Sequence, residues 1–423
     1  MMNKRTRAKE AQEPYKILLC GAALSGNMGG PALYISIVDS LEKRLGQVDI
    51  SILSKYPRAD LAASTELQWQ LIPFPTSTQL FLGVPFSLLC SLFRVSGLPV
   101  PWIARGPFRA YHEHDLLIDL SGISFTDDRT LSGLLINSLW LMPAVAMGKP
   151  WMKASQAMGP FTKPWTYWTS RFFLARAEAL VARGQKSAQF VRELLPQRTI
   201  YELPDVAFVL PPASQNEVDQ TLSNAGIDVQ RPFCVVGPSF VVNMKVSKSD
   251  GPETYSKLMA TVADELVTLT GEQVLLVPHA RASAVSPLDD LDVCENTLQF
   301  CQSSTNVRVL RDHVSATILK GIIARAEVAV GSRFHFMVAA MSSGVPGLAV
   351  AWSHKYLEMM QMVGQDRFAI QHDSLTPEAL VPYVRELWSE RAKIRAEIGE
   401  YLPEVKRQAE QNAEIAIEIL KRI

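Results

Sequence analysis

The strongest chemical signal in the chain is the run Gly331-Ser332-Arg333-Phe334-His335. It follows an apolar stretch ending at Val330 and reads as the opening of a helix. Free backbone N–H groups at a helix N-terminus attract anions. Arg333 adds a planar, permanently charged fork that fits a carboxylate or phosphate. His335 adds the side chain whose ordinary pKa lies nearest neutrality. An anion clamp beside a proton carrier is a chemical unit. The competing reading pairs Arg333 with a carboxylate of the fold and leaves His335 to cap or pack. His112 and His114 flank Glu113, but no third or fourth metal ligand accompanies them, and a solvated turn is expected there. Trp151, Trp165 and Trp168 have faces that stack on sugars, although core packing is the expectation for all three.

The elements that must position these residues alternate strand and helix. Tyr15 to Gly21 reads as a short buried strand ending in glycine, followed by the glycine-rich loop Gly21 to Gly30, an amphipathic helix over 31–45 and a strand over 49–53. That is the β-loop-α-β opening of a doubly wound sheet. Strands follow at 115–120, 151–154, 179–181 and 200–203, with helices at 131–147, 165–176 and 185–195. A polar loop spans 121–130, and Pro211-Pro212 marks a boundary. A second series places strands at 233–237, 273–278, 307–310, 328–330 and 347–350, helices at 252–270, 315–326 and 333–343, and a charged helical segment from 377 onward. The fold class is α/β: two Rossmann-like doubly wound domains facing a cleft, residues 1–212 and 213–423 with the C-terminal helix. Ligands of such sheets sit at the carboxyl ends of the strands.

Composition narrows the function. The 423 residues are 48% hydrophobic and 20% charged, and 42 basic residues balance 42 acidic ones. A neutral chain lacks the basic face that grips nucleic acid, though a local cationic pocket remains open to it. The five cysteines are scattered without CxxC spacing, which argues against a disulfide framework or a zinc site and fits a cytoplasmic protein. The apolar run after the polar N-terminus, Ile17 to Cys20, is too short for a signal peptide core. Leu131 to Gly148 approaches the length of a spanning helix, but Asn137 and Pro143 interrupt it, and a buried helix is expected. Leu71 to Ile103 is apolar and broken by five prolines. It reads as a loop-rich insertion packed on the core or as a surface that touches lipid.

The ordered motifs resemble the polysaccharide pyruvyl transferase family. The Gly-Ser-Arg-Phe-His run, then Ser342-Ser343-Gly344-Val345-Pro346 and Lys355, is similar to that family's C-terminal signature. Gly26-Asn27-Met28-Gly29 resembles its Gly-Asn-x-Gly loop. The strand Asp115 to Gly122 with Asp127, the segment Ser155 to Phe161, Arg183 with Ser187, Pro204 to Phe208, and Val277-Pro278-His279 follow in family order. Three positions depart from the pattern: Gly30 and Gly184 stand where many members have Asp, and Ser121-Gly122-Ile123 replaces a triple glycine. The resemblance implies a GT-B-like fold, with the first domain on the acceptor side and the second on the donor side. It implies phosphoenolpyruvate as donor substrate, no cofactor and no metal. The partner is a sugar or glycan acceptor, with a lipid-linked carrier and peripheral membrane contact left open. The product is a pyruvate ketal. By the same resemblance His335 is the acid–base residue, with Asp119 and Asp127 as base or acceptor ligands, although Asp119 lies within an apolar strand, where a buried hydrogen-bonded structural role competes. Arg333, Arg183, Lys355, His279 and Ser332 would serve the donor, and Gly26, Asn27 and Gly29 would let backbone approach a ligand. A GT-B enzyme using a nucleotide sugar and a binding-only member of the family are the alternatives.

Overall fold

The computed structural model describes residues 13–63, 69–100, 105–251, 253–282, 289–372 and 375–423. The N-terminal residues to 12 and the stretch 101–104, which holds Pro101 and Ile103 of the apolar segment, lie outside them. The first sheet has seven strands: β1 (Tyr15–Cys20), β2 (Val48–Ser54), β3 (Gln70–Pro73), β4 (Leu116–Asp119), β5 (Trp151–Gln156), β6 (Ala179–Arg183) and β7 (Tyr201–Leu203). Its order is β3-β2-β1-β4-β5-β6-β7, all parallel. The second sheet has six: β8 (Phe233–Gly237), β9 (Gln273–Leu276), β10 (Val307–Val309), β11 (Ala329–Gly331), β12 (Gly347–Ala351) and β13 (Ala369–Gln371). Its order, β10-β9-β8-β11-β12-β13, repeats the same winding. Both halves reverse direction between their first and fourth strands, where doubly wound sheets open a crevice.

The strands form where the sequence supplies short, continuously apolar runs. Ile17, Leu18, Leu19 and Cys20 are all buried, as a parallel sheet covered on both faces requires. Two edge strands, β3 and β13, escape a reading based on apolar runs. Each is short, and Pro73 ends the first where the missing N–H does no harm. The helix expected over 131–147 is two helices, Leu131–Leu139 and Met142–Met147, because Pro143 starts a new turn. The helix expected from residue 252, itself outside the described residues, runs Thr254–Thr270. Helices Phe240–Asp250, Asp290–Phe300 and His354–Gln361 were not legible. The histidine segment expected as a solvated turn ends the helix Gly106–Glu113, and His114 is buried.

The two halves share one apolar core that runs from β1 to the final helix. That helix, Arg391–Arg422, buries Ile394 and Ile398 near its start and Ala409, Ala413, Ala416 and Leu420 farther on. Its far end packs on β4, β5 and β7 of the first sheet. There the register between β5 and β6 slips, and buried Asn412 accepts the Ser155 N–H at 2.8 Å. A buried amide without that acceptor would lose roughly 1–3 kcal/mol.

Two of the departures from the family pattern have local steric reasons. A Cβ at Gly30 would stand 1.9 Å from the carbonyl oxygen of Ala23. Gly184 has φ +85°, and a Cβ there would meet the Glu358 carboxyl carbon at 2.8 Å. Glu358 belongs to the second half, yet its Oε1 accepts the Lys186 N–H at 2.8 Å at the start of the helix Gln185–Leu194 in the first. A carboxylate at a helix N-terminus is favourable by charge as well as by hydrogen bond. Gly184→Asp should therefore strain the backbone, crowd Glu358 and set two carboxylates against each other. We expect a loss of roughly 2–3 kcal/mol in the unfolding free energy measured by denaturant titration, partly restored by the pairing Gly184→Asp with Glu358→Gln.

Candidate active site

The loops after the strands of both sheets meet around a cavity of about 210 Å³. The first half contributes Asn27, Ser121, Gly122, Ile123, Arg129 and Arg183, and the second contributes His279, Arg333, Phe334, His335, Trp352, Lys355 and Tyr356. A larger cavity of about 590 Å³ lies over the beginnings of β1 to β3, away from the strand ends, and its Arg109 is already paired with Glu113. The smaller one carries the convergent chemistry.

Backbone pairing across the halves builds its floor. Asn27 and Ala280 form an antiparallel bridge, Met28 N–H donates to the His279 carbonyl at 3.2 Å, and Arg281 N–H donates to the Gly26 carbonyl at 2.7 Å. Gly26 and Gly29 thus serve the closure of the halves rather than the cavity wall, while Asn27 reaches the cavity. Asn27 Oδ1 also accepts the Gly29 N–H at 3.0 Å at the start of the helix Gly29–Leu45. The absent side chain of Gly29 has a clear use: a Cβ there would stand 2.3 Å from His335 Nδ1. The imidazole of the second half lies where that side chain would be.

Arg333 opens the helix Phe334–Ser342 and lines the cavity. Its Nε and Nη2 donate to buried Asp290 at 2.8 and 2.6 Å. Asp290 also accepts the N–H groups of Phe240 and Ala280, each at 2.8 Å, so one carboxylate fixes the fork and two loops. Burial works against the guanidinium charge, and Asp290 outweighs it, holding the pKa above its usual value. Arg183 is paired with buried Asp205, donates from Nη2 to the Gly122 carbonyl at 3.1 Å and stacks on Phe334 at 4.3 Å. Asp205 stands 3.6 Å from His335 Nε2 as well. Its burial favours the neutral acid, but Arg183 and His335 keep the carboxyl well below the usual range. Asp205 joins a cation to the candidate proton carrier; it lies in the Pro204–Phe208 turn, whose motif signalled it without revealing this role.

His279 is buried, its ring nearly parallel to that of His335 with centroids 6.4 Å apart. Burial, then the charges of His335 and Arg333, lower its pKa well below the ordinary value. Its Nδ1 has no partner among the described residues. Lys355 is buried against the rings of Trp352 and Phe334, at 4.5 and 5.2 Å. Burial and then Arg183, with lesser help from Arg333 and Arg129, push its amine down to about 7 against the pull of Asp205.

Three expected site residues stand elsewhere. Asp119 is buried in an ion pair with Lys153 and accepts the Ser121 N–H and hydroxyl at 3.0 and 2.5 Å. Its carboxylate organises the loop after β4 and does not line the cavity. Asp127 accepts the Thr162 N–H and hydroxyl at 2.6 and 2.7 Å, tying that loop to the approach of the helix Pro164–Leu174. Burial opposes its charge, and these bonds hold its pKa below the usual value. Ser332 is buried behind the site, its hydroxyl accepting from Tyr255 at 2.6 Å and its carbonyl from Tyr356 at 2.9 Å. Trp151 is core, but Trp165 and Trp168 are 45% and 66% exposed on a surface helix, contrary to expectation. Trp352, Tyr356 and Arg129 are the cavity residues that sequence reading missed.

Two Rossmann-like halves closing on a cationic cleft define a GT-B-like fold. Solved structures share that fold: a UDP-GlcNAc 2-epimerase from Neisseria meningitidis (TM-score 0.59, 11% identity, 96% of this chain and all of that one) and Anabaena HepE, solved with UDP and glucose (TM-score 0.54, 14% identity, 97% of this chain and all of that one). At such identities the likeness is one of fold. The chain belongs to the polysaccharide pyruvyl transferase family, which matches residues 27–354. It is 23% identical to the amylovoran biosynthesis protein AmsJ of Erwinia amylovora over 91% of this chain and 94% of that protein.

The buried amine makes a prediction about stability. In the unfolded chain a lysine titrates near 10.4, whereas here it titrates at about 7. Between those values the unfolded state binds more protons, so this group makes the protein more stable as pH rises from 7 toward 10. Lys355→Met should raise the melting temperature most below pH 7, with the gain fading to nothing by about pH 10.5. Differential scanning calorimetry across that range checks it.

Proposed function

We propose that the cleft transfers a pyruvyl group from phosphoenolpyruvate to two hydroxyls of one sugar in a polysaccharide or its precursor, forming a ketal. One observation carries this reading: Arg129, Arg183, Arg333 and Lys355 line a cavity that no carboxylate of the described residues lines, with His335 among them. Cations set about a small volume favour a compact polyanion, and phosphoenolpyruvate bears a carboxylate and a phosphate. The GT-B scaffold and family membership agree with a transferase of polysaccharide synthesis.

In this reading Arg333 and Arg183 hold the donor's anionic groups, and their own carboxylates, Asp290 and Asp205, fix the forks in place. His335 protonates the methylene carbon, which leaves positive charge on the adjacent carbon and its oxygen. A sugar hydroxyl bonds to that carbon and gives up its proton. The bond to the phosphate oxygen then breaks, and phosphate leaves with the bonding pair. The second hydroxyl bonds to the same carbon, loses its proton and closes the ketal. One released proton restores His335, and the other leaves with phosphate. His279 borders the cavity with Nδ1 unpartnered among the described residues, which leaves it a hydrogen bond to accept from a hydroxyl. Trp352 offers the acceptor sugar an aromatic face.

The test is a thermal-shift titration with phosphoenolpyruvate, with UDP-sugars and inorganic phosphate as comparisons. Phosphoenolpyruvate should raise the melting temperature selectively, and Arg333→Ala should abolish the shift while leaving the fold intact. Stabilisation by a UDP-sugar alone would replace the reading with a glycosyltransferase, and no response to any of them would indicate a binding-only protein. His335→Ala and Gly29→Ala should keep the shift and lower turnover by about 100-fold or more, the first by removing the acid and the second by displacing it. Normal turnover in His335→Ala would remove that residue from the reaction. Because the Lys355 amine titrates at about 7, the anion should draw a proton onto it. Calorimetric titration at pH 7.5 in buffers of different ionisation enthalpy should show net proton uptake, and Lys355→Met should reduce it.

A further inference from the structure

The first half carries a surface that burial in water does not explain. Thr76–Val95 is one 20-residue helix, long and apolar enough to cross a membrane by length and composition. It is turned inside out for a protein in water. Its buried side holds Gln79, Gly83, Phe86, Ser87 and Cys90. Its outer side carries Phe81, Leu88, Leu92 and Val95, which are 77%, 64%, 62% and 89% exposed. An amphipathic helix on a soluble domain directs such a row at the core. A row of this kind in the open marks contact with something apolar.

The surface continues onto two neighbours. The π-helical turn of this helix touches Leu131–Leu139, which in turn touches Pro164–Leu174. Those helices expose Leu131 and Leu135, and Trp165, Trp168 and Phe172 at one-face spacing. Charge is sorted in the same places. No Asp or Glu occurs between Glu66 and Glu113, or between Asp128 and Glu178, in a chain whose total charge is zero. Arg94, Arg171 and Arg176 are exposed within those stretches, and the Arg176 guanidinium lies 4.0 Å from the centre of the Phe172 ring.

Exposed leucines and aromatic rings among basic residues, with acids excluded, suit the headgroup layer of an anionic bilayer. A second copy of the chain fits less well, because a two-fold contact sets this positive face against itself. The helix is also fastened from within: Gln79 Nε2 donates to the Phe74 carbonyl at 2.6 Å and Arg94 Nη1 to the Val145 carbonyl at 2.9 Å. Protein on one side means that it lies along a membrane and does not span it. We infer that this face docks the protein on an anionic lipid bilayer. Leu131 follows two residues after Arg129 of the cavity, so docking holds the cleft beside the membrane surface. If the proposed reaction is correct, an acceptor sugar on a membrane-anchored lipid is delivered there; the docking itself does not depend on which reaction the cleft runs.

Vesicle flotation of the full chain tests this. The protein should float with equimolar phosphatidylglycerol–phosphatidylcholine vesicles, less at high salt, and remain below with phosphatidylcholine alone. The triple variant Phe81→Ser, Leu88→Ser, Leu92→Ser should lose binding by roughly ten-fold or more with circular dichroism unchanged. Should that variant misfold, Trp168→Ser with Phe172→Ser on the neighbouring helix should give the same direction of loss. Wild-type protein left below with both vesicle types would overturn the inference. So would a lipid-free dimer in light scattering that the substitutions convert to monomer. Flotation without any phosphoenolpyruvate response would keep the docking and refute the reaction; the reverse result would do the opposite.

Discussion

The cleft is organised around one electrostatic problem: four cations border about 210 Å³ with no carboxylate among the lining residues. Unit charges 4 Å apart repel by about 4 kcal/mol at the effective dielectric typical of a protein surface, and more when drier. The fold makes the cluster tolerable by placing acids behind it. Asp290 grips Arg333 with both oxygens and Asp205 pairs with Arg183, each carboxylate also receiving backbone N–H groups. Lys355 has no such acid in contact among the described residues, and burial, then Arg183, makes its amine easier to deprotonate.

The same problem explains why the cleft needs both halves. His335 and Arg333 come from the second sheet, whereas Arg183, Asp205 and the loop around Gly29 come from the first. Main-chain pairing of residues 26–28 with 279–281 holds the edges together, and Glu358 reaches over to cap a helix of the opposite half. The long final helix buries side chains against both. Movement of one half against the other would change the distance from Asp205 to His335 and the space at Gly29 together. Positioning of His335 and the meeting of the two halves are therefore one constraint.

Acidic and apolar residues are distributed as unevenly on the outside as within. The acid-free stretches of the first half build the open face of Thr76–Val95 and its neighbours, while Asp205 and Asp290 beside the cavity are buried partners of arginine. Asp127 links the two regions, since it binds the approach to the Pro164–Leu174 helix from the loop that also carries Arg129.

Sequence alone determined the winding of both sheets and many of the residues that meet at the cleft. Parallel strands buried on both faces leave continuous apolar runs, and a strand followed by glycine and a helix leaves its chemical residues at the turn. That is why Arg333, His335, Arg183, His279, Lys355 and Asn27 were legible and do meet. Short edge strands such as β13 and the helix Asp290–Phe300 left no comparable periodic signal. What an acid does was decided only by tertiary structure. Asp119 and Asp127 look as available in sequence as Asp205 and Asp290, yet Lys153 and Thr162 occupy the first pair and the cleft cations claim the second. The direction a helix faces was also decided there: an apolar run such as Thr76–Val95 reads the same whether its leucines meet the core or the open. Pairing of charges and choice of face depend on neighbours distant in the chain, and one sequence read along its length does not name those neighbours.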